Sequence, residues 1–219
     1  MFLHGFMSNK ESFYYQTSFF SKYFRVIAID ITGFGKSKKL EYPYSISDYA
    51  RDIKATLRKL KIDRYNLVAH SFGGRIALKL ALMGEKINKL ILVGSAGLKP
   101  RRSFKFYLKV LCYKIIKPFL PNNVKLKFGS SELKMLSGNM RGSYYKIVNE
   151  HFDSSLKFIS VKTLIVYGKN DKETPIYYAR RFKKNLKNSI VYIIKGAGHY
   201  CFLEKFNEFN YVALEFLRG

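Results

Sequence analysis

Cysteine is scarce in this chain. The 219 residues contain two cysteines, Cys112 and Cys201, which are too few and too far apart for a disulfide scaffold or a cysteine-based zinc site. We therefore expect free thiols in a reducing compartment. Long apolar runs are also lacking, since none approaches the roughly 18 residues of a membrane span. Residues 1–10 have neither the charged start nor the apolar stretch of a signal peptide. The sequence predicts a cytoplasmic protein without a membrane span.

Acidic residues are few as well. The chain has 15 Asp and Glu against 40 Lys and Arg, which gives a formal charge of +25. Of the cations, 29 are lysines, which lack the planar fork that recognises phosphate or guanine. The excess of positive charge favours weak adhesion to acidic surfaces over specific nucleic-acid binding. We interpret it chiefly as a general bias in amino-acid composition along the whole chain. With 47% hydrophobic residues, the chain has enough apolar surface to fold.

Short apolar segments alternate with stretches of helical period. We predict strands at residues 25–30, 65–70, 89–93, 163–167 and 190–194, and helices at residues 47–60, 74–83 and 204–217, with Ser47 as the N-cap of the first. Each predicted strand is too apolar to have a solvent-exposed face. We therefore expect all of them to be central in the sheet and covered on both sides. The predicted fold class is α/β, a mostly parallel central sheet with helices on both faces.

The segment 98–160 interrupts this alternation. It contains three prolines, many aromatic residues and, between Lys99 and Lys157, 13 basic and 3 acidic residues. We predict a helical lid at 98–160, inserted into a core formed by residues 1–97 and 161–219. The lid residues that could line an apolar pocket are Phe104, Phe106, Tyr107, Leu108, Tyr113, Phe119, Phe128, Met135, Met140, Tyr144 and Tyr145. Alternatively, most of these side chains pack the lid against the sheet.

Ser71 is the candidate nucleophile. It lies in the segment 68–74 (VAHSFGG), which follows a predicted strand and begins a predicted helix. A nucleophile elbow requires this context, because the tight turn exposes the serine hydroxyl beyond the sheet. Small residues at Ala69 and Gly73 fit such a turn, although the usual motif has glycine where Ala69 stands. The alternative is a serine that merely caps a helix.

A serine hydroxyl needs a base, and the base needs an orienting carboxylate. Asp171 follows the predicted strand 163–167, and His199 follows the predicted strand 190–194. Both residues therefore belong to the carboxyl ends of strands, where open α/β sheets bind ligands. The chain order Ser71, Asp171, His199 is the order found in one hydrolase architecture.

These motifs resemble the α/β-hydrolase superfamily, specifically serine hydrolases with a lid, over nearly the whole chain. Residues 3–6 (LHGF) are similar to its oxyanion loop, and residues 30–37 (DITGFGKS) to the turn after the next strand. The resemblance implies a covalent intermediate on Ser71, with His199 as base and then acid and Asp171 holding the ring. It also implies an oxyanion hole formed by the N–H groups of Phe6 and Phe72.

The apolar and aromatic lid residues favour a small-molecule acyl or aromatic substrate. Without a Cys, His and carboxylate cluster at metal-binding spacing, we expect no metal, and we predict no cofactor. We expect a small carboxylic ester, cleaved through an acyl-enzyme. The second candidate is a carbon–carbon bond hydrolase of ring-cleavage products, in which Arg101, Arg102 or Arg141 would receive a carboxylate. A third, of a different class, is a catalytically idle basic protein that adheres to acidic surfaces.

The beginning of the sequence departs from the family pattern. Only residues 1–3 precede the LHGF motif, whereas family members usually carry a β-hairpin and a full strand before it. The predicted strand 25–30 would then lie at the edge of the sheet. We therefore expect the natural protein to begin further upstream.

The remaining histidines and Cys201 have structural interpretations. We expect His70 to pack or bond locally, His4 to support the oxyanion loop, His151 to be exposed on the lid, and Cys201 to be a small buried apolar residue.

Residues 35–37 (GKS) resemble the end of a phosphate-binding loop. The full motif would require glycine at Asp30, whose carboxylate would repel a phosphate.

Overall fold

The computed structural model describes residues 1–101, 116, 135–136 and 138–219. Within them, six strands form one sheet, in the order β2-β1-β3-β4-β5-β6, and all five neighbouring pairs are parallel. The strands are β1 (Phe2–Leu3), β2 (Ala28–Ile29), β3 (Tyr65–His70), β4 (Ile87–Val93), β5 (Lys162–Gly168) and β6 (Ser189–Ile194). The described helices are α1 (Tyr14–Phe20), α2 (Ile46–Lys59), α3 (Phe72–Leu82), α4 (Gly138–Asn149), α5 (Tyr177–Asn185), α6 (Cys201–Glu204) and α7 (Phe206–Arg218), with 3-10 helices at Lys10–Phe13 and Leu156–Phe158.

The two faces of the sheet bury separate apolar clusters. Side chains alternate along β4, so that Leu90 and Leu92 belong to one cluster and Ile91 and Val93 to the other. Helices α2, α3 and α5 cover the first face, whereas α1, α6 and α7 cover the second. The predicted fold class, a parallel sheet with helices on both faces, is confirmed.

The predicted strands occur, with corrections at the two edges. The strand predicted at 25–30 is only the two-residue β2, because its sole described partner is the two-residue β1. At the other edge, the prediction that every strand is central is wrong for β6. Among the described strands it pairs only with β5, and Ile190 is 52% exposed.

The N-cap prediction for α2 is wrong by two residues. Ser45, not Ser47, is the N-cap, and its hydroxyl accepts a hydrogen bond from the Asp48 N–H at 3.3 Å. The Asp48 carboxylate accepts one in return from the Ser45 N–H at 2.7 Å. This reciprocal capping box satisfies two N–H groups at the helix start, which a cap at Ser47 would not do.

The helix predicted at 204–217 occurs as α7 (Phe206–Arg218), and a separate short helix, α6 (Cys201–Glu204), precedes it. The chain leaves helical geometry at Lys205 (φ −131°, ψ 51°), between α6 and α7. This bend allows Phe202 of α6 and Phe209 of α7 both to be fully buried, with ring centroids 6.2 Å apart.

The predicted lid is described only in part, and its boundaries at 98 and 160 stay a prediction. Helix α4 and the 3-10 helix Leu156–Phe158 belong to it. Several residues named for the lid pocket, together with Cys112 and Arg102, lie outside the described residues: Phe104, Phe106, Tyr107, Leu108, Tyr113, Phe119 and Phe128. In the part of the chain that is described, no helix has the length and apolar character to cross a membrane.

Candidate active site

Ser71 occupies a strained turn between β3 and α3. Its backbone lies in the positive-φ region (φ 48°, ψ −108°), which costs a non-glycine residue of order 1–3 kcal/mol. Neighbouring backbone hydrogen bonds hold it there: the Ser71 N–H donates to the Val93 carbonyl at 3.0 Å, and the Ala96 N–H donates to the Ser71 carbonyl at 3.2 Å. The turn is thus fixed against the end of β4, as a nucleophile elbow requires.

The two glycines after Ser71 permit this close packing. A Cβ on Gly73 would lie 2.4 Å from the Leu3 carbonyl oxygen, and one on Gly74 would lie 2.0 Å from the Ser95 hydroxyl oxygen. Neither approach is sterically possible without a shift, and the first would be against backbone. The small residue predicted at position 73 is therefore required by the contact with β1.

Asp171 and His199 form a direct hydrogen bond. His199 Nδ1 lies 2.9 Å from Asp171 Oδ2, and both side chains are buried. Because an ionised carboxylate can only accept, Nδ1 is assigned as the donor, which leaves Nε2 as the acceptor of the neutral ring. This is the tautomer that a general base requires.

Asp171 is held in its charged form. Burial by itself would raise its pKa, but the hydrogen bond and charge of His199, with hydrogen bonds from Thr174, outweigh burial, so the pKa lies below the usual range. The N–H groups of Glu173 and Thr174 both donate to Oδ1 at 2.9 Å, and the Thr174 hydroxyl donates to Oδ2 at 2.8 Å. Thr174 is not among the predicted site residues; its only signal in the sequence is a hydroxyl side chain three positions after the candidate acid.

Ser71 and this pair both lie beside the end of β4. Gly94 follows β4, and a Cβ added to it would lie 3.2 Å from His199 Nδ1 and 3.3 Å from Asp171 Oδ2. The preceding residue, Val93, accepts the Ser71 N–H. Among the described residues, however, no hydrogen bond joins the Ser71 hydroxyl to His199. Instead, the carboxylate oxygen Oε2 of Glu173 lies 3.3 Å from His199 Nε2.

His70 supports the turn from within the core. Its Nε2 lies 3.1 Å from the His199 carbonyl oxygen, and the two rings are 4.7 Å apart between centroids. Burial, followed by the nearby charge of His199, lowers the pKa of His70 to about 3. A neutral His70 that donates to the carbonyl fits the expected structural role and connects the residue before Ser71 to the candidate base.

The loop of residues 3–6 is also held by a neutral histidine. His4 donates from Nδ1 to the Gly5 carbonyl at 2.7 Å and accepts the Ile31 N–H at Nε2, at 3.0 Å. Burial lowers the pKa of His4 below its usual range despite opposing contributions from this hydrogen bond and from Asp30. The expectation that His4 supports this loop agrees with these contacts.

An aromatic cluster surrounds the predicted oxyanion residues. The Phe6 ring contacts the rings of Phe34, Phe72 and Tyr144, with centroids 5.1, 5.7 and 5.4 Å away. Tyr144 belongs to α4, so the described part of the predicted lid touches the loop that carries Phe6. The cluster gives this side of the candidate site an apolar wall.

The contacts of Asp30 weigh against a phosphate-binding loop. Its carboxylate accepts the N–H groups of Lys10 at 2.8 Å and Lys36 at 3.0 Å. Burial would raise the pKa of Asp30, but these two hydrogen bonds and the charge of Lys10 outweigh it and lower the pKa. The amide of the GKS segment therefore already binds an anion supplied by the chain itself.

Cys201 is an unreactive thiol. It is fully buried, and burial raises its pKa to about 12, so the nucleophilic thiolate is scarce near neutral pH. The described residues also contain no group of three or more His, Cys, Asp or Glu side chains suited to a metal ion. Within that part of the chain, Ser71 is the better-placed nucleophile.

Comparison with known proteins defines the class. Residues 1–146 match the family model described as "alpha/beta hydrolase fold". The chain therefore belongs to the α/β-hydrolase family, and it is a hydrolase of that fold.

Individual relatives include more than one chemistry. An AB hydrolase superfamily protein, YisY, from Bacillus subtilis (strain 168) is 27% identical over 99% of this chain and 90% of its own length. A 2-hydroxy-6-oxo-6-(2'-aminophenyl)hexa-2,4-dienoic acid hydrolase from Metapseudomonas resinovorans is 27% identical over 90% of this chain and 75% of its own. The esterase EaEST from Exiguobacterium antarcticum superposes with a TM-score of 0.78 at 26% identity, covering 100% of this chain and 91% of that one.

Proposed function

We propose that this protein is a serine hydrolase that cleaves a small carboxylic ester through Ser71, His199 and Asp171. The observation that carries the proposal is the strained Ser71 turn beside a buried Asp171–His199 hydrogen bond of 2.9 Å. A positive-φ serine between a strand and a helix, next to an acid–base pair, has the arrangement that nucleophilic acyl transfer requires.

The reaction begins when Ser71 Oγ attacks the substrate carbonyl carbon and its proton passes to His199 Nε2. The Asp171 carboxylate accepts a hydrogen bond from the Nδ1–H and stabilises the imidazolium that forms. The N–H groups of Phe6 and Phe72 donate to the oxyanion of the tetrahedral intermediate. Collapse of the intermediate breaks the ester bond, and the leaving alcohol takes the proton from Nε2. Water then repeats the same steps on the acyl-enzyme and releases the carboxylic acid and free Ser71.

The carbon–carbon bond hydrolase is the second candidate. It is favoured by the relative from Metapseudomonas resinovorans, whose name specifies a dienoic acid substrate. Of the arginines proposed to receive a carboxylate, Arg101 and Arg141 are exposed, and Arg102 lies outside the described residues. Arg141 donates from Nε to the carbonyl of Leu136, just before α4, at 2.9 Å. One of its N–H donors is therefore already bound to the backbone.

The idle binding protein has less support. A chain that only adheres to acidic surfaces would have no need of a positive-φ serine or of a carboxylate with four hydrogen-bond contacts beside a histidine. The positive-φ serine costs stability, and such backbone strain is characteristic of functional sites. Strong salt dependence of binding without serine labelling would be the signature of this third candidate.

Ser71→Ala tests the proposal. We expect wild type to hydrolyse para-nitrophenyl esters of graded acyl length, and Ser71→Ala to lose at least about a thousand-fold in kcat/KM, because the acyl-enzyme cannot form. Ser154→Ala, an exposed serine, is the matched control and should keep full activity. Covalent labelling by a fluorophosphonate should occur in wild type and Ser154→Ala only.

Two outcomes would contradict the esterase proposal. Ester hydrolysis that survives Ser71→Ala would exclude Ser71 as the nucleophile. Cleavage of a synthetic ring-cleavage dienoate at a kcat/KM far above that of every ester would instead support the carbon–carbon hydrolase.

A further inference from the structure

Glu173 is a charged side chain at the candidate base that the mechanism does not use. It is 61% exposed on its side chain, yet Oε2 lies 3.3 Å from His199 Nε2. Among the described residues, no Lys or Arg side chain forms an ion pair with it, although Lys172 is its neighbour in sequence. Its backbone N–H donates to Asp171 Oδ1 at 2.9 Å, which fixes the turn that carries it.

The position of this carboxylate corresponds to the leaving-group side of the site. In the proposed reaction, Nε2 delivers its proton to the departing alcohol, whose oxygen must then lie about 3 Å from Nε2. Since Glu173 Oε2 is 3.3 Å from the same nitrogen, its negative charge lies within roughly 6 Å of the leaving-group oxygen. The surroundings of Phe6, a predicted oxyanion residue, are aromatic.

We propose that Glu173 determines the charge of the leaving group that the site accepts. Esters with uncharged or cationic alcohol portions are favoured, and esters whose alcohol portion carries a carboxylate are disfavoured by repulsion from Glu173. This inference rests on the proposed function and narrows its substrate class. It also opposes the long-range field of the chain, whose formal charge of +25 would attract anions.

The electrostatic effect has a limited size because Glu173 is mostly exposed. Two like charges about 7 Å apart in a water-rich environment repel enough to change a rate constant about three- to ten-fold. The effect should be screened at high salt, because the Debye length falls from about 10 Å at 0.1 M to about 3 Å at 1 M.

Glu173→Gln is the test variant. Glutamine keeps the backbone N–H and the side-chain volume, so the turn at Asp171 should be retained. Asp63→Asn is the matched control: it also removes one exposed carboxylate, but from the loop before β3, at the other end of the sheet, where Asp63 pairs with Lys86 at 2.8 Å. The two variants therefore change the net charge equally and differ in where the charge is lost.

The measurement is a ratio of kcat/KM values for two esters with the same acyl group. One is para-nitrophenyl butyrate, and the other carries an additional carboxylate on the nitrophenyl ring. For each variant, kcat/KM for the neutral ester is divided by kcat/KM for the anionic ester, and this ratio is compared with that of wild type. The comparison cancels differences in leaving-group reactivity and any change common to both esters. We expect the ratio to fall about three- to ten-fold in Glu173→Gln at 0.1 M salt and to stay unchanged in Asp63→Asn.

Each other result contradicts the proposal in a distinguishable way. An unchanged ratio in Glu173→Gln, with ester hydrolysis intact, would overturn the role of Glu173 and leave the proposed function standing. An equal fall in Asp63→Asn would assign the effect to net charge and also overturn it. Absence of both ester hydrolysis and fluorophosphonate labelling in wild type would overturn the proposed function, and this inference with it.

Discussion

At the scale of the residue, two buried neutral histidines hold the backbone around Ser71. His70 binds the carbonyl of His199, and His4 joins the loop before Phe6 to Ile31. Burial lowers the pKa of both, so each is a neutral hydrogen-bonding group at physiological pH. Their protonation would require a charge in the core, which is costly without a paired anion.

We predict an acid-sensitive stability that depends on His70. Its pKa is about 3 in the folded protein, against the ordinary histidine value of 6.5 that we expect in the unfolded chain, so the unfolded chain binds one more proton between these values. Stability therefore falls as pH decreases from 6.5 towards 3, by about 1.4 kcal/mol per pH unit for one proton. Urea denaturation at several pH values should show a shallower decline in His70→Gln than in wild type. Equal slopes would show that His70 does not contribute.

At the scale of the element, the ends of helices and strands decide how side chains reach the site. Helix α3 begins directly after Ser71, and α6 begins two residues after His199. The residue before α3, Ser71, has a positive φ of 48° and no side-chain cap, whereas α2, which is remote from the chemistry, begins with an ordinary capping box. Regular capping therefore stabilises the start of α2, and backbone strain marks the start of α3.

We predict that Ser45→Ala destabilises the protein and that Ser47→Ala does so much less. Ser45 is the N-cap and forms both bonds of the capping box with Asp48, so losing its hydroxyl should cost about 1 kcal/mol. Ser47 lies inside the first turn of α2 and has no capping role. Thermal or urea midpoints of the two variants provide the measurement. A larger loss in Ser47→Ala would contradict the assignment of the cap.

At the scale of the whole molecule, α4 is attached to the core beside the candidate site. The buried Ser143 accepts the Tyr44 N–H at 2.7 Å and donates to the Asn139 carbonyl at 2.9 Å. Lys146 donates to the Pro43 carbonyl at 2.7 Å. Through Tyr144, the same helix contacts Phe6. The docking of α4 is therefore connected to the loop that carries a predicted oxyanion donor.

We predict that Ser143→Ala loosens α4. The variant leaves the Tyr44 N–H buried without its acceptor, which should cost about 1–3 kcal/mol and increase local opening. Limited proteolysis read by mass spectrometry should show faster cleavage within 138–149 than in Ser154→Ala, the exposed serine control. Cleavage at the same rate in the two variants would exclude an anchoring role for Ser143.

Much of the scaffold could be predicted because its signals are local. The apolar run at 65–70 becomes β3 with the same bounds, and the helical period at 47–60 becomes α2 shifted by one residue. The position of Asp171 and His199 after consecutive strands predicted that they would meet, since parallel strands end at one edge of a sheet. Their catalytic roles, with that of Ser71, stay predictions.

Other features could not be predicted because they depend on contacts between distant segments. The shortness of β2 depends on the length of β1, and the exposure of Ile190 depends on β6 being an edge strand. The bend at Lys205 follows from the burial of both Phe202 and Phe209. Glu173 has no sequence signal, because its approach to His199 joins two separate loops.

The sequence by itself determined the class of fold, the strand-to-helix turn at Ser71 and the residue types available for acid–base chemistry, because periodicity and turn sterics act over a few neighbouring residues. Only the tertiary structure decided which carboxylate binds His199 Nδ1 and which lies at Nε2. The Asp171–His199 hydrogen bond joins residues 28 positions apart, and its distance is fixed only when the strands pack side by side.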